Sequence, residues 1–351
     1  MLQKLRQTLA SVGKLTETFH SPDGTTVLML PHGGRVLGLM AAGGDENFYW
    51  THPALESEET ARAFYESDVW HNSGGDRTWL APEVDIFFPR YPDLDMSTYW
   101  QPRQLDPGNY QVVPQDGRSR MINRLELILS RTGQRVSLEM AKWVGPASNP
   151  LRHEPEWAGF SEVQYAGYTQ HTTLAMHGEN PAGAHVGLWN LVQMPHGGEM
   201  LIPTHSRAVP KIYMGNIEPG DLVAGGQLVR YYMRARGEHK IGLRAVAMTG
   251  RVGYLYPAPA GAALIVRNFP VNPSGEYVDV PWRETGNFGF AVQACNVASG
   301  LGSFSELEYH TPAIGGATGL DHYEDVSQIW AFRGPEDAVR AIARVLLSPQ
   351  V

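Results

Sequence analysis

Ser303-Phe-Ser-Glu-Leu-Glu-Tyr-His-Thr-Pro-Ala-Ile-Gly315 alternates two kinds of side chain. In an extended strand alternate residues share a face. Phe304, Glu306, Glu308 and His310 then point one way, and Ser305, Leu307 and Tyr309 the other, until Pro312 ends the strand. The Leu307/Tyr309 face suits a core. The opposite face lines up two carboxylates and an imidazole, more chemistry than a surface hairpin needs. The strand is therefore a candidate site, with a solvated strand edge as the plain alternative.

The same short-strand pattern runs outward from it. Ser21-Pro-Asp-Gly is a turn signal before Thr25–Leu30, and Pro31-His-Gly-Gly leads into Arg35-Val-Leu-Gly-Leu-Met, which predicts a hairpin. Asn47–Thr51, Val84–Phe88 and a long series from residue 110 to 311, including Gly159–His177, also predict strands. Helices are few. Leu2, Leu5 and Leu9 are spaced for a short amphipathic one, Ser57 can cap another, and Pro335 opens the last. With no internal repeat of 40 to 50 residues, a propeller is disfavoured. The expectation is a single all-β domain over residues 1–351, two large antiparallel sheets packed face to face.

Composition limits the function. The chain has 351 residues, a 42% apolar fraction and a net charge of -8, which lacks the basic footprint of a nucleic-acid binder. No apolar run approaches the roughly 20 residues of a membrane span. The N-terminus has no secretory h-region, so the cytoplasm is the expected compartment, a removed leader aside. The one cysteine, Cys295, excludes a disulfide framework and reads as a core thiol. There are 13 histidines but no HExxH or HxH spacing, and neither a metal nor another cofactor is expected. Walker-type loops and a GxSxG elbow are absent.

Three further segments carry polar chemistry. His71-Asn-Ser-Gly-Gly-Asp-Arg-Thr-Trp79 sets Asp76, Arg77 and Trp79 behind two glycines. An arginine fork binds paired oxygens and an indole stacks on a sugar face, although a structural Asp–Arg pair explains the motif equally well. Gly187–Met194 holds Trp189, Asn190 and Gln193 before a turn with His196; it suits the wall of a polyol site or a central core strand. Arg230 and Arg234 share one strand face and Lys240 and Arg244 share one on the next, an anion site or a solvated face answered by acids.

Together these segments resemble the galactose-mutarotase-like superfamily of aldose 1-epimerases and their relatives. The resemblance rests on Gly33-Gly-Arg-Val-Leu-Gly-Leu39, the Gly74–Trp79 block, the Trp189–Gln193 strand and Leu307-Glu-Tyr-His-Thr-Pro312, in an order that agrees over roughly residues 16 to 333. It implies a large β supersandwich and a sugar or sugar-acid 1-epimerase, with Glu308 as general base and a histidine as acid. Glu306, on the same face, would raise one carboxylate's pKa by like-charge repulsion. Where the family has Asn-Leu-Thr-Asn-His, this chain has Asn190-Leu-Val-Gln-Met194, so the histidine must come from elsewhere, His196, His71 or His310. The substrate-binding set implied is His71, Asp76, Arg77, Trp79, Trp189, Gln193, Arg230, Lys240 and Glu306, facing a small sugar or oligosaccharide. A non-catalytic sugar-binding protein is the alternative, and a polysaccharide lyase or glycoside hydrolase relative a third.

Overall fold

The computed structural model describes residues 2–115, 117–155, 160–178 and 183–351. Helix α1 (Leu2–Ser11) precedes β1 (Glu17–His20), β2 (Thr26–Leu30) and β3 (Arg35–Met40), then α2 (Glu58–Glu66), β4 (Asp76–Ala81) and α3 (Glu83–Phe87). Next come β5 (Gln111–Gln115), β6 (Arg118–Leu129), β7 (Gln134–Pro146) and β8 (Gln164–His177). Shorter strands follow: β9 (Gly187–Pro195), β10 (Glu199–Pro203), β11 (Lys211–Met214), β12 (Leu222–Gly225), β13 (Leu228–Tyr232) and β14 (Gly237–Leu243). The chain closes with β15 (Arg251–Ala258), β16 (Gly261–Asn268), β17 (Val292–Ser299), β18 (Gly302–His310), β19 (His322–Gly334) and α4 (Glu336–Leu346).

Among the described residues these strands form two antiparallel sheets. One has nine strands in the order β1-β2-β3-β4-β9-β18-β17-β14-β11; the other has ten, β12-β13-β10-β15-β16-β19-β8-β7-β6-β5. This is the all-β sandwich that the alternating pattern implies. Val192, Leu307 and Tyr309 from the first sheet pack with Tyr168, Tyr254 and Ile265 from the second in the core between them. Helices α1 and α2 cover Leu28, Leu30 and Leu37 on the outer side of β2 and β3, and α4 covers Leu264, Val266 and Phe332 on the outer side of the second sheet. The outer face of β4, β9, β18, β17 and β14 is left for the site.

Local chemistry explains most boundaries. Gly33 and Gly34 turn the β2–β3 hairpin at positive φ, 92° and 57°, where a side chain is strained. Ser57 caps α2 by accepting the Thr60 N–H at 3.3 Å. Two expected strands are not strands. Val84–Phe88 lies mostly in α3: Pro82 precedes its first turn, Glu83 and Asp85 sit in that turn, and the Asp279 carboxylate accepts the Glu83 N–H at 2.7 Å. A five-residue apolar run has no period that separates the two structures. Asn47–Thr51 bends at Phe48 and Tyr49, where the Asn47 side chain takes the Leu39 and Tyr49 N–H groups at 3.0 and 3.1 Å, and it pairs through an isolated bridge from Thr51 to Gly74 instead of a ladder. The start of the expected strand Gly159–His177 falls at Gly159, outside the described residues; from Gln164 onward it is β8.

The inter-sheet core also holds charge. Asp76 points inward from β4, fully buried, and pairs with Arg267. It also accepts the Tyr168 hydroxyl at 2.6 Å, with Lys142 at 3.7 Å. Burial alone would raise the Asp76 carboxyl, but Arg267, Lys142 and Tyr168 outweigh it and hold it below its usual value. Arg267→Met is expected to lower stability by about 3 kcal/mol, because Lys142 compensates only part of the buried Asp76 charge left without its partner. Urea unfolding at pH 7 measures it, read as a lower midpoint at unchanged slope.

Candidate active site

The outer face of the nine-stranded sheet is set by register. On β18, Glu308 lies opposite Leu191 of β9 and Gln293 of β17; Glu306 lies opposite Gln193 and Cys295. Arg77 of β4 lies opposite Leu191, and Lys240 of β14 opposite Cys295. Period-two alternation therefore delivers Arg77, Trp79, Trp189, Gln193, Cys295, Lys240, Glu306 and Glu308 to one side. With Glu83 of α3, Tyr99 and Trp282 from the loops above, most of them line a cleft of about 600 Å³, mouth included.

Both cations that line the cleft, Arg77 and Lys240, are answered by carboxylates. Arg77 Nη2 lies 2.9 Å from Glu306 Oε1, which also accepts the Gln193 amide at 2.9 Å. The guanidinium sits 4.2 Å from the Trp79 ring centre and 5.4 Å from that of Trp70. Both indole N–H groups donate to Asp106 Oδ2, at 2.9 and 3.0 Å, beside the Arg35 guanidinium at 2.9 Å. Asp106 thus holds two aromatic walls from behind. Asp106→Ala is expected to loosen both indoles and weaken ligand binding about tenfold, since three donors, the two indoles and the buried Arg35 guanidinium, lose their acceptor; tryptophan fluorescence and titration calorimetry read the two effects, and a melting curve reads the stability lost at Arg35.

Lys240 is the second cation. Its Nζ lies 3.2 Å from Glu308 Oε2, 3.7 Å from Glu83 Oε2 and 4.4 Å from the Trp189 ring centre. Glu308 Oε2 accepts the Trp189 N–H at 2.7 Å, whereas Glu308 Oε1 has no hydrogen-bond partner among the described residues. Burial pushes the Glu308 carboxyl up to about 7, Lys240 opposing and Glu306 and Glu83 adding to the rise. Burial also raises Glu83 and Asp279. For Lys240 burial works downward, but Glu308, Glu83 and Asp279 outweigh it and keep the ammonium charged. Three buried carboxyls around one ammonium are coupled, and burial favours the protonated form at each of them.

The sequence-expected residues divide. Arg77, Trp79, Trp189, Lys240, Glu306 and Glu308 line the cleft, and Gln193 supports Glu306. Asp76 does not: it is one residue from Arg77 and so faces the opposite side of the sheet. Arg230 lies on β13 in the other sheet, answered by Glu199, because the chain crosses between sheets after β13 instead of forming a hairpin. Among the described residues no histidine lines the cleft. His310 is 1% exposed, stacked on Trp189 at 5.5 Å between ring centres, and held neutral by burial and by Lys240. His196 Nε2 meets Asn296 Oδ1 at 2.9 Å, and His71 packs against Phe64 and Tyr65 with Nε2 on the Ser67 carbonyl at 3.0 Å.

Residues the sequence reading did not place in the site are Glu83, Tyr99 and Trp282. Tyr99 and Trp282 donate to Glu83 Oε1 and Oε2 at 2.7 and 2.8 Å. Of these only Glu83 has a local sequence signal, following Pro82 six residues after Arg77. Cys295 lies on the cleft floor, where burial, Glu306 and Glu308 raise its thiol well above the usual range and keep it unreactive. Cys295, Glu306 and Glu308 bring one ligand atom each within 4.8 Å of one another. With Arg77 on one carboxylate and Lys240 on the other, that trio is a poor cradle for a further cation.

Fold and site thus define a two-sheet β sandwich with an aromatic, carboxylate-rich cleft on one outer face. The chain belongs to a family of unknown function, DUF6786, whose model matches residues 7–351. No curated protein matches it. Among solved structures, a galactose 1-epimerase from Lactobacillus acidophilus aligns over 91% of this chain and 94% of its own, at 7% identity and TM-score 0.40. A GalM/aldose epimerase homologue from C. elegans aligns over 92% and 99%, at 8% identity and TM-score 0.36. No helix among the described residues is long and apolar enough to cross a membrane.

Proposed function

We propose that this protein binds a neutral sugar in the cleft and catalyses proton transfer at its anomeric centre, a 1-epimerisation, with Glu308 as general base. The observation that carries the reading is the free, buried Glu308 Oε1 on a carboxyl raised to about 7, among indole walls. A base with that pKa is matched to neutral pH. Glu308 takes the proton from the anomeric hydroxyl, and the Lys240 ammonium steadies the negative charge that develops. The ring opens, C1–C2 rotates and the ring closes on its other face.

The acid that protonates the ring oxygen is assigned here to Glu83, in place of the expected histidine. Glu83 lies 3.7 Å from the Lys240 ammonium that also meets Glu308, and burial raises its carboxyl in the direction that favours the protonated form. The cleft is lined by four carboxyls, Glu83, Glu238, Glu306 and Glu308, against two cations, Arg77 and Lys240. That balance favours a neutral sugar over a sugar acid. The second reading, sugar binding without catalysis, draws on the lack of a histidine in the cleft among the described residues.

Exchange spectroscopy on the anomeric signals of glucose, galactose, glucosamine and glucuronate tests the proposal. Acceleration for a neutral hexose and none for glucuronate is the expected result. Binding without acceleration supports the second reading, and no binding of any sugar removes both.

A further inference from the structure

The cleft does not stop at Trp282. Beside it lie a small depression lined by Glu83, Tyr213, Met214, Lys240 and Trp282 and a broader, open one bounded in part by Leu94, Met96, Tyr213, Trp282 and Arg283. Trp282 and Met214 contribute to the walls of all three spaces, which sets the outer groove directly beside the cleft. Its aromatic walls are pinned from behind. The Trp282 N–H is fixed on Glu83 at 2.8 Å, and the Tyr213 hydroxyl donates to the Asp279 carbonyl at 3.2 Å while accepting the Gln293 amide at 3.0 Å.

The outer end differs in chemistry from the catalytic end. Arg283, Asp95 and Glu284 are exposed there beside Leu94 and Met96, so polar edges alternate with apolar surface. A pyranose ring offers the same alternation: apolar C–H faces for aromatic or apolar walls and hydroxyls at its rim for charged groups. A single ring in contact with Glu308 leaves this second space unused.

Building on the sugar reading of the first pocket, we infer that the groove is a second sugar subsite. The ligand is then an oligosaccharide whose reducing-end ring meets Glu308 and whose next ring lies along Tyr213, Met214 and Trp282, within reach of Arg283. The readout is affinity against chain length, by calorimetry on the full chain: glucose against maltose and cellobiose, and galactose against β-1,4-galactobiose. At least one disaccharide is expected to bind about tenfold more tightly than its monosaccharide.

Arg283→Ala, combined with Leu94→Ala, is expected to bring that ratio close to one; using the ratio within each variant removes any general change in affinity. Arg283 is exposed, and a melting curve verifies that the variant folds. A monosaccharide that binds as tightly as every disaccharide overturns the second subsite and leaves the first pocket standing. A disaccharide gain that persists undiminished in the variant puts the second ring elsewhere and also overturns it. If no sugar binds, both readings fall.

Discussion

Glu308→Gln is expected to abolish acceleration of anomeric exchange, with a loss of about 10²–10⁴-fold, while sugar affinity changes only severalfold. The substitution keeps the shape of the side chain and an oxygen for the Trp189 N–H, but it removes the base. In the unsubstituted protein kcat/KM should rise about tenfold per pH unit below pH 7 and level off above it, as the carboxyl raised to about 7 loses its proton. A second consequence concerns stability. The folded protein holds the Glu308 proton up to about pH 7, whereas the unfolded chain releases it near the ordinary glutamate value of about 4.3. Across that window the folded state binds more protons, so stability falls as pH rises. Glu308→Gln should flatten this slope and gain up to ~3 kcal/mol at pH 8. Denaturant midpoints at pH 5 and 8 measure it. An active Glu308→Gln protein would remove Glu308 from the chemistry, whatever its pKa.

Lys240→Met has the largest expected structural effect. Removing the ammonium leaves Glu308, Glu83 and Asp279 buried without their shared cation, at a cost of ~3–5 kcal/mol near pH 8. All three carboxyls then shift further upward, since Lys240 is the main group opposing burial at each of them. They escape the penalty by taking up protons, so the stability loss should shrink toward pH 5, and any residual activity should start at a higher pH. A loss equal at pH 5 and 8 would instead assign the role of Lys240 to its packing on Trp189, 4.4 Å away.

How much of this was legible beforehand follows from the kind of interaction involved. Strand faces obey a period of two, so Glu306 and Glu308 on one side and Leu307 and Tyr309 on the other were readable without coordinates. The same period separates Asp76 from Arg77, although a motif reading treats them as a pair. Arg230 and Lys240 sit in segments close in sequence, and only the crossover between sheets sends them to different faces. Glu83 was obscured because α3 hides in an apolar run that suits either structure. Tyr99 and Trp282 come from loops, where no periodicity exists to orient a side chain.

The sequence by itself determined an antiparallel all-β chain with few helices, and a strand presenting two carboxylates opposite its core face. Those are local properties of alternation, turn residues and caps. Tertiary structure alone decided what the carboxylates do. It answered Glu306 with Arg77 and surrounded Lys240 with Glu308, Glu83 and Asp279 from three different segments. It also drew His310 into a buried stack on Trp189. The physical reason is that a carboxyl's proton affinity depends on burial and on charges a few ångströms away in space, and those distances are set only when distant segments pack together.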